Sequence, residues 1–145
     1  MLRYLALALV AASLGTNPAA GESNHIDWDR DLQRAWQSAQ AQQRPLILFV
    51  TGERCHYCTL MKHQTWRDPA VASAVNQGFV AVEVSTDFKD RVAEVLKIRS
   101  LPTTLVISPE RKVLARFNGY MRPDQLIRQL EELPQQTVST SHSVD

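Results

Sequence analysis

Cys55 and Cys58 are the only cysteines in this 145-residue chain, and they stand three positions apart in the stretch GERCHYCTLM. Two thiols at that spacing serve one of three chemistries: a structural disulfide, a soft-metal clamp, or a dithiol that exchanges disulfides with other molecules. A structural disulfide stabilises by restricting the unfolded chain, and the effect shrinks with the loop it closes. The His56-Tyr57 pair between these cysteines makes a very small loop. A zinc-type site needs a full tetrahedral ligand set, and the local candidates are Cys55, Cys58, His56 and His63. Adjacent Cys55 and His56 point in different directions, no second CxxC or HxxxH exists, and His25 and His142 fall in a loop and a tail. No resident metal or other cofactor is expected. The alternative left open is a non-catalytic binding module for copper or a client protein.

Exchange chemistry needs two cysteines with different jobs, and the flanking residues provide for that. LILFV, residues 46–50, is a continuous apolar run of strand length, and TLMKHQTW after the cysteines has helical character. The pair therefore stands where a strand hands over to a helix N-terminus. Free backbone N–H groups and the helix dipole stabilise an anion there, so a thiolate is favoured below the usual cysteine range of about 8.5. Cys55, the first of the two, takes the nucleophile's position. Cys58, one helical turn on, can attack a mixed disulfide at Cys55 and release the partner. Arg54 and, when protonated, His56 can add positive potential beside the thiolate, and with Tyr57 they are the residues expected to tune the pair.

The elements that hold this handover follow from periodicity. Trp28, Leu32, Ala35, Trp36 and Ala39 recur at helical steps within 26–43, with Asp27 or Asp29 as the cap. Asp68, Pro69 and Gly78 mark the cap, first turn and end of a second helix after the cysteines. FVAVEVS reads as a strand, and DFKDRVAEVLKI as a helix with Val92, Val95 and Leu96 inward. TTLVIS and VLARFNG, joined by PERK, form a hairpin, and RPDQLIRQLEEL is an amphipathic helix with Leu126, Ile127, Leu130 and Leu133 on one side. The fold class expected is α/β, a central mixed sheet with helices on both faces.

With the strand-CxxC-helix unit, Leu101-Pro102-Thr103 opening a later strand, and a closing hairpin and helix, the sequence resembles the thioredoxin superfamily over about residues 28–133. The similarity extends to exported thioredoxin-like domains such as the periplasmic C-terminal domain of the disulfide reductase DsbD. The resemblance implies the thioredoxin fold and protein-disulfide oxidoreductase activity, more in the reducing direction. It also implies a cis Pro102 that, with Leu101, shapes the groove where a partner's extended backbone docks. Thioredoxin's Trp-Cys-Gly-Pro-Cys is replaced here by Arg54, Cys55, His56, Tyr57 and Cys58. Its buried aspartate, six positions before the first cysteine, is Phe49 here, so proton transfer for Cys58 needs another group or water, with Glu83 and Glu53 as the candidates.

Residues 1–21 carry Arg3, an apolar run from Tyr4 to Leu14, and small residues up to Ala19, Ala20 and Gly21, the pattern of a secretory signal peptide. The expected organisation is a signal peptide at 1–21, one thioredoxin-like domain at 22–134 and a flexible polar tail at 135–145. Removing 1–21 takes away one basic residue and leaves 15 basic and 15 acidic side chains. That balance favours neither nucleic acid nor anionic lipid as a partner, and no membrane insertion is expected after cleavage. Expected partners are protein disulfides or dithiols and a membrane-linked electron donor, outside the cytoplasm and in the periplasm of a Gram-negative cell.

Overall fold

The computed structural model describes residues 24–134 apart from Phe88, so the expected signal peptide at 1–21 and tail at 135–145 lie outside the described residues. Four strands form one sheet in the order β2-β1-β3-β4. β1 (Leu46–Thr51) runs parallel to β2 (Val80–Ser85) and antiparallel to β3 (Thr103–Ile107), which pairs antiparallel with β4 (Val113–Asn118).

Every residue of β1 is buried, as an apolar run covered on both faces requires. Because strand side chains alternate, Ile47 and Phe49 face one cluster, and Leu46, Leu48 and Val50 face another. The first cluster is closed by α2 (His56–Gln64), α3 (Pro69–Gly78) and α5 (Pro123–Glu131) through Met61, Val71, Val75, Leu126 and Leu130. The second is closed by α1 (Leu32–Gln42) and α4 (Arg91–Val95) through Ala35, Ala39 and Ala93, with Ile98 just beyond α4. Helices on both faces of a mixed sheet are the architecture expected.

Two helices differ from the periodicity reading. α1 starts at Leu32, with Asp31 rather than Asp29 or Asp27 as its cap, accepting from the Arg34 N–H. The preceding segment is extended because Asp29 is used as an edge residue of the sheet. Its N–H donates to the Ala81 carbonyl at 3.0 Å, and its own carbonyl accepts from Glu83 N–H at 2.9 Å. Trp28 consequently leaves the helix stripe and packs against Phe49 and Trp66. α4 shrinks to five residues, and Val95, expected inward, is 67% exposed. The Asp90 carboxylate is turned back to Thr86 and the Asp87 N–H, and Lys97 at φ 53° ends the turn. Ala93 and Ile98 do the burying.

The other local rules operate as read. Asp68 accepts from the N–H groups of Ala70 and Val71, with Pro69 at the first helical position. Gly119 takes the positive φ of 88° that closes the hairpin, where its N–H donates to the Pro102 carbonyl at 2.8 Å. No helix of the described residues is long and apolar enough to cross a membrane.

Candidate functional site

β1 ends at Thr51, the chain turns through Gly52, Glu53 and Arg54, and α2 begins at His56, so Cys55 is the α2 N-cap. In this cap position Cys55 Sγ accepts from the Cys58 N–H at 3.2 Å, taking up one of the donors that a helix start leaves free. The two cysteines are joined by a disulfide with Cα atoms 5.2 Å apart. Their surroundings differ. Cys55 is half-buried, whereas Cys58 is 1% exposed and belongs to the α2-side core. One sulfur can meet a partner, and the other waits behind it.

The remaining candidates form the rim. Arg54, His56 and Tyr57 are exposed, with the His56 and Tyr57 rings edge-on at 5.5 Å. Tyr57 is one of few large apolar side chains left in solvent, at 58% exposure. Beside the disulfide opens a groove of about 900 Å³, lined by Gly52 to Tyr57 on one side and by Thr86, Asp87, Asp90 and Leu101 on the other. Leu101 is half-buried in this lining, and the Leu101–Pro102 peptide bond is cis. Pro102 is buried and does not line the groove. The loop bearing these two residues is fastened by Thr103 Oγ1 donating to the Ser100 carbonyl at 2.7 Å. α2 is held at its far end by the Tyr120 hydroxyl donating to Gln64 Oε1 at 2.7 Å and by Thr65 Oγ1 donating to the Met121 carbonyl.

The two acidic candidates for proton transfer fall in different places. Glu53 is exposed at the groove. Glu83 is 7% exposed, beside Phe49 in the β1–β2 register, and its Oε1 meets Lys62 Nζ at 2.5 Å and Arg30 Nη1 at 3.1 Å. Phe49 itself is fully buried, packing edge-on to Trp66 at 5.3 Å. Lys62 and Gly52 were missed by sequence reasoning. Gly52 had a signal, being a glycine directly after a strand, a sign of close backbone approach. Among the described residues no group of three or more His, Cys, Asp or Glu side chains is placed to hold a metal ion.

Comparison with known proteins agrees with this geometry. A family model described as a thioredoxin-like domain matches residues 32–134. The thioredoxin-related protein DsbJ of Chlamydia pneumoniae is 26% identical over 133 residues, which is 82% of this chain and 38% of that protein. The chain spans well under half the length of the curated relatives it matches, from 9% to 38%. Among solved structures, a Thermus thermophilus thioredoxin superposes with a TM-score of 0.67 at 23% identity, covering 73% of this chain and 85% of that one. The oxidised C-terminal domain of Neisseria meningitidis DsbD superposes with a TM-score of 0.64 at 18% identity, covering 74% and 99%. These likenesses show the fold. The fold and the close cysteine pair together support a thiol-disulfide oxidoreductase.

Proposed function

The chain belongs to the thioredoxin-like family, and on that premise we propose that it is an exported protein-disulfide reductase working through Cys55 and Cys58. The observation that carries this reading is the asymmetry of the pair. Cys55 is the half-buried N-cap of α2, its Sγ already accepting from the Cys58 N–H, while Cys58 is buried one turn on. Reduced Cys55, as thiolate, attacks a partner's disulfide. One partner sulfur leaves as a thiol and a mixed disulfide forms at Cys55. Cys58 then attacks Cys55 Sγ, the second partner sulfur leaves, and the Cys55–Cys58 disulfide is the product. The partner gains two electrons and the enzyme dithiol loses them. The helix N-terminus, Arg54 and, when protonated, His56 stabilise the attacking thiolate, Tyr57 offers an exposed ring to the docked partner, and Leu101, in the groove wall ahead of the buried Pro102, positions its extended backbone.

Export rests on residues 1–21, whose Arg3, apolar run and small residues make a signal peptide. In an oxidising compartment such as a Gram-negative periplasm, turnover in this direction requires a donor of electrons, and a membrane-linked reductant is the proposed source. The test is expression of Cys58→Ala in the native host. Partners trapped covalently at Cys55 are the expected result, and recovery of none would refute exchange chemistry. A reduction potential near about −270 mV supports the reducing direction, and one near about −120 mV reverses it.

A further inference from the structure

The charge balance of the whole chain, which by itself favours no anionic lipid, averages over a separation. Between residues 89 and 116 stand seven basic side chains, Lys89, Arg91, Lys97, Arg99, Arg111, Lys112 and Arg116, against three acids, Asp90, Glu94 and Glu110. The rest of the chain from residue 22 on has eight basic and twelve acidic side chains. All seven of these cations are exposed. Ion pairs hold Arg30, Arg34, Lys62, Arg122 and Arg128, which all lie outside this segment.

The fold draws cations of this segment onto the side of the sheet away from α2. Arg116 stands on β4 opposite Leu105, a residue of the second cluster, and its Nη2 donates to the Leu96 carbonyl at 2.8 Å, at the end of α4 beside Lys97. Arg111, in the turn between β3 and β4, lays its guanidinium 5.6 Å from the centre of the Trp36 ring of α1. Trp36 and Leu96 pack on that same second cluster. Lys97 and Arg111 hold left-handed backbone, at φ 53° and 67°, which glycine or asparagine adopts more readily than a long side chain. Folding alone therefore does not account for a cation at either place. Val95 of α4 and Val113 at the start of β4 are 67% and 52% exposed, and among the described residues they and Tyr57 are the large apolar side chains left in solvent.

We propose that the face built by α4, the β3–β4 turn and β4 binds an anionic lipid surface. Lys97, Arg111 and Arg116, with the cations around them, meet headgroup phosphates, and Val95 and Val113 enter the boundary beneath. The exposed valines favour a bilayer over an acidic protein or a nucleic acid, since an apolar side chain set among cations gains by leaving water at a lipid interface. The spread of the charges favours it too. Cations distributed over a helix and a turn suit a plane of phosphates, and each one close to such a plane strengthens binding about fivefold. Screening over about 8 Å at physiological ionic strength confines that gain to cations on the face itself. α2 and the cysteine pair lie across the sheet, so the groove at Cys55 stays open to a protein partner. A domain held at the membrane in this way is concentrated where a membrane-linked electron donor resides. The lipid contact itself does not depend on the exchange reading.

Co-sedimentation of the full chain with vesicles tests it. Vesicles of phosphatidylcholine mixed with phosphatidylglycerol bind the protein, vesicles of phosphatidylcholine alone bind it far less, and added salt weakens the binding. Lys97→Gln and Arg111→Gln each weaken partition onto the anionic vesicles about fivefold, and the triple variant with Arg116→Gln weakens it about a hundredfold. Arg128→Gln removes the same charge from α5 and leaves partition in place. Val95→Ser weakens it about threefold or more. Thermal melts check that each variant is folded, and if the triple variant is not, the two single variants carry the test. The proposal is overturned by equal binding with and without phosphatidylglycerol, or by a loss in Arg128→Gln as large as that in Arg111→Gln. It is also overturned if the anionic vesicles leave the protein in solution while immobilised polyglutamate holds it through the same cations, which would assign the face to an acidic protein. Reduction of a disulfide protein without vesicles proceeds at the parent rate in Lys97→Gln and Arg111→Gln, so this inference and the exchange reading fail separately.

Discussion

Gly52→Ala places a methyl group where the groove has no room for one. A Cβ at this position would lie 2.7 Å from Leu101 Cδ1 and 3.2 Å from the Thr86 carbonyl oxygen, the first closer than real Cβ contacts come. The carbonyl belongs to a chain fastened by the Thr86 N–H donating to Thr51 O at 2.9 Å, so the side chain of Leu101 must yield first. Forcing a side chain about 30° off its rotamer costs about 0.5–1.5 kcal/mol, and overpacking as a whole about 1–3 kcal/mol. In a domain of this size that lowers Tm by about 4–15 °C. Leu101 lines the groove beside Cys55, so the displacement also reaches docking. A docking loss of about 1 kcal/mol lowers kcat/KM for a protein disulfide about fivefold, while alkylation of Cys55 by a small reagent stays unchanged. Thermal unfolding, steady-state reduction of a disulfide protein and iodoacetamide kinetics read these three quantities. The double variant Gly52→Ala with Leu101→Ala recovers most of the stability lost by Gly52→Ala when measured against Leu101→Ala alone. A Gly52→Ala protein with parental Tm and kcat/KM, or equal losses with and without Leu101, would refute the reasoning.

Asp68→Ala removes the acceptor for two N–H groups at the start of α3 and lowers stability by about 1 kcal/mol in denaturant unfolding. Asp29 is held down to a pKa of about 2, first by the hydrogen bond from the Arg34 side chain and then by the Asp31 N–H. A depressed carboxylate contributes stability that is present above its unfolded value of 3.8 and lost as pH falls through about 2. Arg34→Ala therefore flattens the acid limb of the stability profile between those values: its loss of stability is full at neutral pH and disappears as pH falls through about 2, as denaturant unfolding across that range reads. Phe49→Asp, which restores the carboxylate at the position the resemblance implies, lowers stability by about 3–5 kcal/mol, because it removes a buried ring from the Trp28–Trp66 contact and buries a charge instead. A Phe49→Asp protein that unfolds like its parent would show that the aromatic cluster carries little of the core.

Local chemistry made much of this molecule legible before its coordinates. The apolar run of β1, the Asp68-Pro69 start of α3, the Gly119 turn and the strand-to-helix position of Cys55 each depend on residues close together in the chain, and each is where pattern places it. The two misread helix boundaries have different causes. Asp29 has the makings of a helix cap, but its backbone is claimed by β2, some fifty residues on, through Ala81 and Glu83. Asp90 turns its carboxylate back to the segment leaving β2. At Asp29 a tertiary bond outcompeted the periodicity, and at Asp90 a local turn three and four residues long did.

Glu83 shows the same limit at the candidate site. In the sequence Glu83 is one of two acids that could serve Cys58, and its strand neighbours give no sign of the cations that meet it. Two facts bury it: the parallel register that sets it beside Phe49, and the rotation of α2 that turns Lys62 toward it. Neither is local. The α2 rotation is nevertheless constrained by a local feature, since Cys55 must cap the helix and Cys58 and Met61 must face the core, which leaves Lys62 at the edge of that same face. Lys62, four residues after the second cysteine, thereby meets the acid of the strand beside β1, a pairing that becomes readable once β1 and β2 are known to be neighbours.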